Sequence, residues 1–479
     1  MYDVAIIGCG IIGAAAAHAL SMYSVKTVVL EKENDIALGA TRANSAIIHA
    51  GFDPEPGTLM ARLNVRGCEL APKICAELDV PYKNVGSLVL AFSEEDDKTI
   101  RKLYERGVKN GVPGLEIISK ARVLEMEKYV SPEVTGALYA PSAGIVNPWE
   151  YALALAEVAV TNGAEIRLGS EVKQISRSGD GYIITTASGT VSAKYVINAS
   201  GVNSDTLHNM VATPAFTVKP TRGDYYLMDK AECFRAKHTL FQCPSNAGKG
   251  VLISPTVHGN LLIGPNAVSC ADRERVNTTA DGLDFVRNAA AKTIPDINYR
   301  NSIRNFAGMR ANTDKDDFII GFAAPHFLDL AGIKSPGLTA APAIAEEALK
   351  LLAGDGLLLE ANPAAVHTRR KLRFKELTDE EKIKAISENP LYGRVICRCE
   401  TITEGEIVDA IRSPIPPVSV DGIKRRAGTG MGRCQGGFCG PRVLDILARE
   451  TGLSPLDILK DKNGSYVLCG ETKTGGAKG

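Results

Sequence analysis

The pattern of apolar and polar positions changes character along the chain, and each change predicts an element. Residues 3–7, DVAII, are a short β-branched run, which predicts a strand buried on both faces of a parallel sheet. The Ala-rich segment 14–20 has strong helix propensity, and KTVVLE at 26–31 predicts a second strand. Alternating stretches such as GDYYLMD (223–229) and NLLIGP (260–265) predict strands with one face in a core. Residues 356–392 are charged and predict a mainly helical connector. Helices are predicted over 403–412 and 441–451, with Gly452 ending the second. The Gly- and Lys-rich residues 470–479 predict disorder at the end of a tail spanning 454–479.

Composition narrows the class. The 479 residues allow about three domains or lobes at ~150 residues each. Lys+Arg and Asp+Glu both total 55, so the formal net charge is zero, which argues against a nucleic-acid partner. The short basic clusters Arg369-Arg370-Lys371 and Lys424-Arg425-Arg426 read as solvated patches. No apolar run reaches the ~18 residues of a membrane span. The nearest, Val4–Leu20, lacks a basic leader and contains glycines and His18, so it is neither a span nor a signal peptide. The expected location is the cytoplasm. There the eleven cysteines are ligands or buried thiols rather than disulfides.

Between the first strand and the Ala-rich helix lies Gly8-Cys9-Gly10-Ile11-Ile12-Gly13, a G-x-G-x-x-G. Gly8 suits a tight turn, Gly10 lets backbone approach a pyrophosphate, and Gly13 lets helix pack on strand. The helix amino terminus offers N–H groups and a positive dipole end to the phosphates. Glu31 follows Gly13 by 18 residues, near the ~20 expected of a carboxylate that accepts from ribose hydroxyls. The strand–turn–helix–strand–Glu frame predicts a Rossmann-type dinucleotide cradle, without deciding between FAD and NAD.

The next segment decides. GATRANSAIIHAG (39–51) is rich in small residues, which lets backbone approach a flat ring while the polar ones meet its edge. This segment resembles the flavin-facing stretch of the D-amino-acid-oxidase-like FAD oxidoreductases, the family that includes glycerol-3-phosphate and L-2-hydroxyglutarate dehydrogenases. GIVNPWEYALALAEVAVTNGAEI (144–166), YVINASGVNSD (195–205) and LAGIKSPGLTAAPAIAEEAL (330–349) resemble later segments of that family, in the same order. The resemblance spans about residues 1–350 and implies FAD. It implies contacts from Ile12 and Lys32 beside the cradle, from Thr41, Asn44, Ser45, Ala46 and Ile47 on the flavin side, and from Val172 in the adenine pocket. Ala199 and Gly201 would touch the dinucleotide, and Gly332, Gly337, Leu338 and Thr339 the flavin. Ser335-Pro336-Gly337 is turn chemistry leading into a helix. Its free N–H groups would face the flavin edge where negative charge develops on reduction.

Four of the cysteines cluster: Cys397-x-Cys399, then 34 residues, then Cys434-x-x-x-x-Cys439. Two close thiolate pairs can surround an iron–sulfur cluster or zinc, though the spacing is not the C-x-x-C of structural zinc. VICRCETITEGEIVDAI (395–411) and RRAGTGMGRCQGGFCGPRVLDIL (425–447) resemble the bacterioferritin-associated-ferredoxin-like [2Fe–2S] module. They particularly resemble its copy in anaerobic glycerol-3-phosphate dehydrogenases. The resemblance implies these four cysteines as ligands. The glycines from 428 to 440 let N–H groups approach the cluster sulfurs.

The resulting fold class is α/β plus α+β. A discontinuous FAD-binding domain (about 1–85, 145–210 and 300–355) carries an inserted antiparallel-sheet substrate domain (about 86–144 and 211–299). A small helical [2Fe–2S] domain follows at 393–453. Flavin with a one-electron cluster implies two-electron substrate oxidation and one-electron export to a partner protein, hence a dehydrogenase rather than an oxidase. That partner is an NADH-linked flavoprotein, a small iron–sulfur protein or a quinone-linked membrane subunit, the last giving peripheral association.

Three residues are candidates for catalysis. Arg310, in FAGMRANTD, can clamp an anionic substrate bidentately. Lys334, in AGIKSPGL, stands at a position that resembles the family's lysine, which implies a point charge beside the flavin. His49 can accept the hydroxyl proton or is structural. The family resemblance implies oxidation of glycerol 3-phosphate to dihydroxyacetone phosphate. One departure works against it: Asp53 stands where those relatives usually carry Arg, and a carboxylate there repels phosphate. L-2-hydroxyglutarate, another 2-hydroxy acid, or an amino or imino acid are the alternatives. An electron-transfer or redox-sensing subunit without its own substrate is the alternative of another class.

Overall fold

The computed structural model describes residues 1–244 and 250–470, which divide into two compact units. The first comprises Met1–Leu30 and Ala37–Arg369; the second comprises Glu31–Ile36 and the chain from Arg370 onward.

The first unit is built on two large sheets. In one, the strands Glu165–Arg167, Thr27–Leu30, Tyr2–Ile7, Gly189–Asn198 and Phe327–Ala331 lie side by side and parallel. Val4, Ala5 and Ile6 have no solvent exposure, because the strand is covered on both faces as its continuous apolar pattern requires. Gly189–Asn198 is long enough to serve two further neighbours besides Tyr2–Ile7. Its first half runs antiparallel to Gly181–Thr186, and its last residues run parallel to Phe327–Ala331. The Ala-rich helix Ile11–Ser21 packs against the helices Pro148–Thr161 and Gly337–Gly354. The helix Leu59–Glu77 lies on Gly337–Gly354, and a Cβ at Gly67 would stand 2.0 Å from the Thr339 carbonyl oxygen. The second crossing is close because Gly67 has no side chain to hold the helices apart.

The other sheet has nine strands, all neighbours antiparallel except Thr239–Gln242 beside Ser87–Ala91. GDYYLMD and NLLIGP lie in the strands Thr221–Met228 and Leu261–Gly264, which pair with each other. The strand Ser302–Arg310, expected in the nucleotide part of the chain, belongs instead to this sheet. It pairs with Thr221–Met228 along nearly its whole length. A small third sheet joins Ile47–Ile48, Gly144–Val146 and Tyr82–Asn84.

The second unit packs the helices Glu404–Ile411, Val420–Ala427 and Gly440–Thr451 around Ile407, Ile423, Val443, Leu447 and Ile458. The middle helix is additional to the two expected from sequence.

Several expectations need correction. The stretch 356–392 is regularly helical only over Asp379–Glu388, started by a capping box between Thr378 and Glu381. Residues 370–392 fold onto the second unit, where Phe374, Ala385 and Tyr392 form their own apolar cluster. Residues 454–470 are not a loose tail: Ile458 is fully buried, and Leu459 bridges Ser419 and Tyr466. Residues 471–479, expected to be disordered, lie outside the described residues.

The two basic clusters are not simply solvated patches either, although Arg370 is exposed. Arg369 is held 2.6 Å from the buried Glu157. Arg426 and Arg425 are themselves buried and meet Asp35 at 2.8 and 3.0 Å, with Asp461 on the far side of Arg425 at 2.7 Å. Burial by itself would raise the Asp35 carboxyl; the guanidiniums of Arg426 and Arg425 override it and hold it below the usual carboxylate range. A charge count along the sequence misses this, because it does not reveal a buried carboxylate between two guanidiniums.

His18 supplies a stability test. Its Nε2 is buried on the helix Ile11–Ser21 without a hydrogen-bond partner, and burial, then the charge of His367, lower its pKa to about 4. Unfolding returns it to the ordinary value of ~6.5, so the unfolded chain binds the extra proton between these limits. The contribution is intact above pH 6.5 and is lost as the pH falls toward 4, by about 3 kcal/mol in all. Denaturant unfolding across this window is expected to have a shallower pH slope in His18→Gln than in the parent.

Candidate functional site

The amino-terminal turn is a backbone cradle. Gly8 lies at φ +97°, donates its N–H to the Leu30 carbonyl at 2.8 Å, and would bring a Cβ to 2.7 Å from the Ala199 oxygen. A Cβ at Gly13 would stand 1.9 Å from the Gly8 oxygen. Both glycines are therefore fixed by close approach, as the motif requires. Gly10 precedes the helix Ile11–Ser21 and offers it no side-chain cap. Thr41 reaches across to accept the Ile11 N–H at 2.9 Å, and Ile12 stands half-buried one residue on. Ala199 is tied to the first strand by its N–H to Ile7 at 2.9 Å, and Gly201 turns at φ +58°. Val172 packs in the apolar cluster of Ala5, Ile7, Val28 and Leu30. Glu31 is buried and accepts the Glu33 N–H at 3.0 Å, while Lys32 approaches Glu33 at 3.8 Å.

The segment 39–51, expected from the family resemblance to be the flavin-side segment, is held from both ends. Asn44 donates to the carbonyls of Ala40 and Thr41 and accepts from the Ala46 N–H at 2.8 Å, which fixes Ala46 at φ +59°. Ser45 meets the Tyr225 hydroxyl at 3.2 Å. Thr339, fully buried, donates to the Ile47 carbonyl and accepts the His49 N–H at 2.9 Å. The chain turns at Gly332, φ +63°, and a Cβ at Gly337 would meet Ile333 at 2.6 Å. The helix Gly337–Gly354 then begins without a side-chain cap, with Leu338 in its first turn. Among the described helices of eight or more residues, those starting at Ile11, Gly337 and Gly440 begin without a cap from the preceding residue. The other such helices carry a Ser, Thr or Asn cap. Uncapped N–H groups and the dipole suit anionic groups.

The nine-stranded sheet faces this segment. Thr221, Gly223 and Tyr225 pair with Arg310, Gly308 and Phe306, so all six share one face. A Cβ at Gly308 would lie 1.9 Å from the Ala43 oxygen, so the sheet and the flavin-side segment touch there backbone to backbone. Arg310 ends its strand with Nη1 3.4 Å from the Asn266 carbonyl oxygen. The half-buried Lys334 donates from its ammonium to the Lys315 carbonyl at 3.4 Å. His49 Nε2 stands 3.4 Å from Ser335 Oγ, its ring lies 5.7 Å from that of Phe241, and its carbonyl accepts from the buried Asn64 at 2.9 Å. His49, Asn64 and Ser335 line a small hollow with Phe52, Asp53 and Pro336. The Asp53 carbonyl accepts from the Arg106 guanidinium at 2.6 Å, and the same guanidinium is ion-paired with Glu55 on this loop.

In the second unit the four clustered cysteines meet as two pairs. Cys399 Sγ and Cys434 Sγ are 3.7 Å apart, and the buried Cys397 and Cys439 are hydrogen-bonded to each other. The Cys439 thiol, then the N–H groups of Gly430 and Glu400, lower the Cys397 thiol to about 6. The Phe438 N–H, with help from Gly436 and Gly437, lowers Cys434. A Cβ at Gly432 would collide with the Cys399 Cβ at 2.3 Å. Soft sulfur donors ringed by backbone N–H groups suit an iron–sulfur centre.

Sequence reasoning missed Tyr225, Phe306 and Gly308, which cover the flavin-side segment, and Asn64, which holds the His49 carbonyl. Strand register brings the first three together, and no local motif announces it.

Comparison with known proteins agrees with this geometry. Residues 3–351 match the family described as FAD dependent oxidoreductase, and residues 395–449 match the BFD-like [2Fe-2S] binding domain. The chain is 49% identical over 477 residues to a glycerol 3-phosphate dehydrogenase of Caloramator mitchellensis, covering 99% of each. It is 30% identical over 403 residues to the mitochondrial L-2-hydroxyglutarate dehydrogenase of Homo sapiens, covering 72% of this chain and 87% of the relative. Among solved structures, the dithionite-reduced L-alpha-glycerophosphate oxidase of Mycoplasma pneumoniae with FAD bound superimposes with a TM-score of 0.73. That pair is 33% identical and covers 78% of this chain and 99% of the oxidase.

The cradle's close contacts make a direct test. In Gly13→Ala the new methyl meets a backbone oxygen that has no room to move, so the turn must open. Purified Gly13→Ala protein is expected to hold less than about a tenth of the parent's flavin, with its iron content unchanged. Overpacking of this kind costs about 1–3 kcal/mol, enough for that loss.

Proposed function

The chain belongs to the FAD-dependent oxidoreductase family and carries a BFD-like [2Fe–2S] domain, and on that premise we propose that it is a glycerol 3-phosphate dehydrogenase. In this reading it yields dihydroxyacetone phosphate and exports the electrons to a partner protein. The observation that carries this reading is the 49% identity to a glycerol 3-phosphate dehydrogenase along 99% of both chains, both domains included.

Bound FAD would accept the hydride from C2 of the substrate, and the cluster would pass the two electrons on one at a time. The chain supplies the rest. Arg310 stands on the sheet face that meets the flavin-side segment, where its guanidinium clamps the phosphate. His49, braced by Thr339, Asn64 and Ser335, accepts the hydroxyl proton. Lys334 adds positive charge at the start of the uncapped helix Gly337–Gly354. The dinucleotide is held by Gly8, Gly10, Ile12, Gly13, Glu31, Lys32, Ala199 and Gly201, with Val172 at the adenine. The flavin is held by Thr41, Asn44, Ser45, Ala46, Ile47, Gly332, Gly337, Leu338 and Thr339. Cys397, Cys399, Cys434 and Cys439 are the cluster ligands. Asp53 still counts against phosphate, because Arg106, on the helix Glu94–Lys109, donates to the Asp53 backbone carbonyl and is ion-paired with Glu55. No helix among the described residues is long and apolar enough to cross a membrane. A reducing cytoplasm suits the eleven cysteines.

Anaerobic addition of glycerol 3-phosphate is expected to bleach the flavin band, whereas L-2-hydroxyglutarate leaves it unchanged. The reverse result would make the enzyme a 2-hydroxy-acid dehydrogenase, in line with the second relative. Arg310→Ala is expected to raise KM for glycerol 3-phosphate about 100-fold, a loss of about 2.7 kcal/mol, while flavin content is retained.

The cluster assignment has its own check. Gly432→Ala drives a methyl into Cys399, so the variant is expected to lose the iron-dependent visible absorbance while substrate still bleaches its flavin.

A further inference from the structure

The cluster module has an unusual surface. Phe438, between Gly437 and the ligand-bearing loop's Cys439, is 82% exposed. Its backbone N–H is used by the Cys434 sulfur, but its ring stands almost wholly in solvent. A large apolar side chain left in water costs solvation energy that packing within this loop does not recover. Charge around it is one-sided. Arg398 lies between Cys397 and Cys399, Arg433 precedes Cys434, and Arg442 follows Cys439 by three residues; all three are exposed. The segments 397–399 and 433–442 contain no Asp or Glu. Asp445 is the next exposed acid along the helix, and Glu400 is buried near Lys375 at 3.9 Å. The Sγ atoms of Cys399 and Cys434 are 3.7 Å apart, so Arg398 and Arg433 flank the same pair of sulfurs. Cys399 is itself exposed, which brings this face to the edge of the cluster.

We propose that this face, centred on Phe438 and rimmed by Arg398, Arg433 and Arg442, docks an acidic one-electron acceptor protein that takes electrons from the cluster. The inference rests on the proposed dehydrogenase reading for the source of electrons. An apolar centre inside a charged rim is the anatomy of a transient protein interface. The net charge of the whole chain is zero, so a local basic rim beside the cluster steers an acidic partner to this face rather than to the molecule at large. The reaction balances as one glycerol 3-phosphate giving one dihydroxyacetone phosphate, two protons and two electrons. Each electron reduces one ferric acceptor to the ferrous state.

The test uses the full-length holoenzyme with cytochrome b5 as the acidic acceptor and cytochrome c as a basic one of similar size. The expected result is a kcat/KM for cytochrome b5 that falls about tenfold or more between about 10 and 200 mM salt, with cytochrome c slower at low salt. The double variant Arg398→Glu/Arg442→Glu is expected to lower the cytochrome b5 rate at least tenfold. Its cluster spectrum, its substrate-driven flavin bleaching and the rate at which its cluster becomes reduced are expected to match the parent. Equal rates for both cytochromes without salt dependence would overturn the proposal. So would an unchanged cytochrome b5 rate in the variant, or a variant defect confined to reduction of the cluster. Should glycerol 3-phosphate fail to reduce the flavin, the dehydrogenase reading falls. The surface is then tested separately by mixing dithionite-reduced protein, freed of excess dithionite, with each cytochrome. The same charge preference is expected.

Discussion

The structure depends on backbone approaching backbone more closely than any side chain allows. Gly13 lies over the Gly8 carbonyl, and Gly8 lies against the Ala199 carbonyl. Gly308 brings the nine-stranded sheet onto Ala43, and Gly67 brings the helix Leu59–Glu77 onto Thr339. In the other unit, Gly432 lets the loop close over Cys399. A Cβ at each of these positions would fall within 2.7 Å of its neighbour, and the neighbour is backbone or the Cβ of one of the clustered cysteines. Such contacts do not relax by rotating a side chain. They fix the distances between the elements that make the candidate sites.

Both sites solve the problem of negative charge in the same way. Neither the dinucleotide turn nor the flavin-side helix begins with a polar cap, and the helix after Cys439 begins bare as well. The N–H groups so released are donors already oriented by the helix, with little side-chain entropy to lose. Around the cysteines, the N–H groups of Gly430, Glu400, Phe438, Gly436 and Gly437 reach the sulfurs. A chain of zero net charge can thereby accommodate a pyrophosphate and an iron–sulfur centre without a large excess of Lys or Arg.

Charged side chains are then free for other work, and that work differs from place to place. Arg369 is spent on Glu157, and Arg425 and Arg426 on Asp35, as internal ties. Arg310 is placed at the end of a strand beside the flavin-side segment. Arg398, Arg433 and Arg442 stay at the surface beside the cysteines. The same residue type thus ties the interior of each unit, ends a strand beside the segment 39–51, and lines an exposed edge.

The sequence by itself determined what depends on near neighbours. The G-x-G-x-x-G turn, the strands around it, the small-residue segment 39–51 and the paired cysteines are local patterns, and each carries its chemistry within a few residues. Together with the family resemblance they were enough for the α/β plus α+β class and for FAD and [2Fe–2S]. Tertiary structure decided what depends on register and burial. It moved the strand Ser302–Arg310 into the second sheet, because pairing with Thr221–Met228 is a long-range match that no local pattern encodes. It set Tyr225 against Ser45 and Asn64 against the His49 carbonyl for the same reason. It drew Arg369, Arg425 and Arg426, from two apparently solvated basic clusters, into ion pairs with buried carboxylates, since the desolvation of an arginine depends on the partner waiting for it. Residue type and spacing decide local geometry; the company a charge keeps is decided only when distant segments meet.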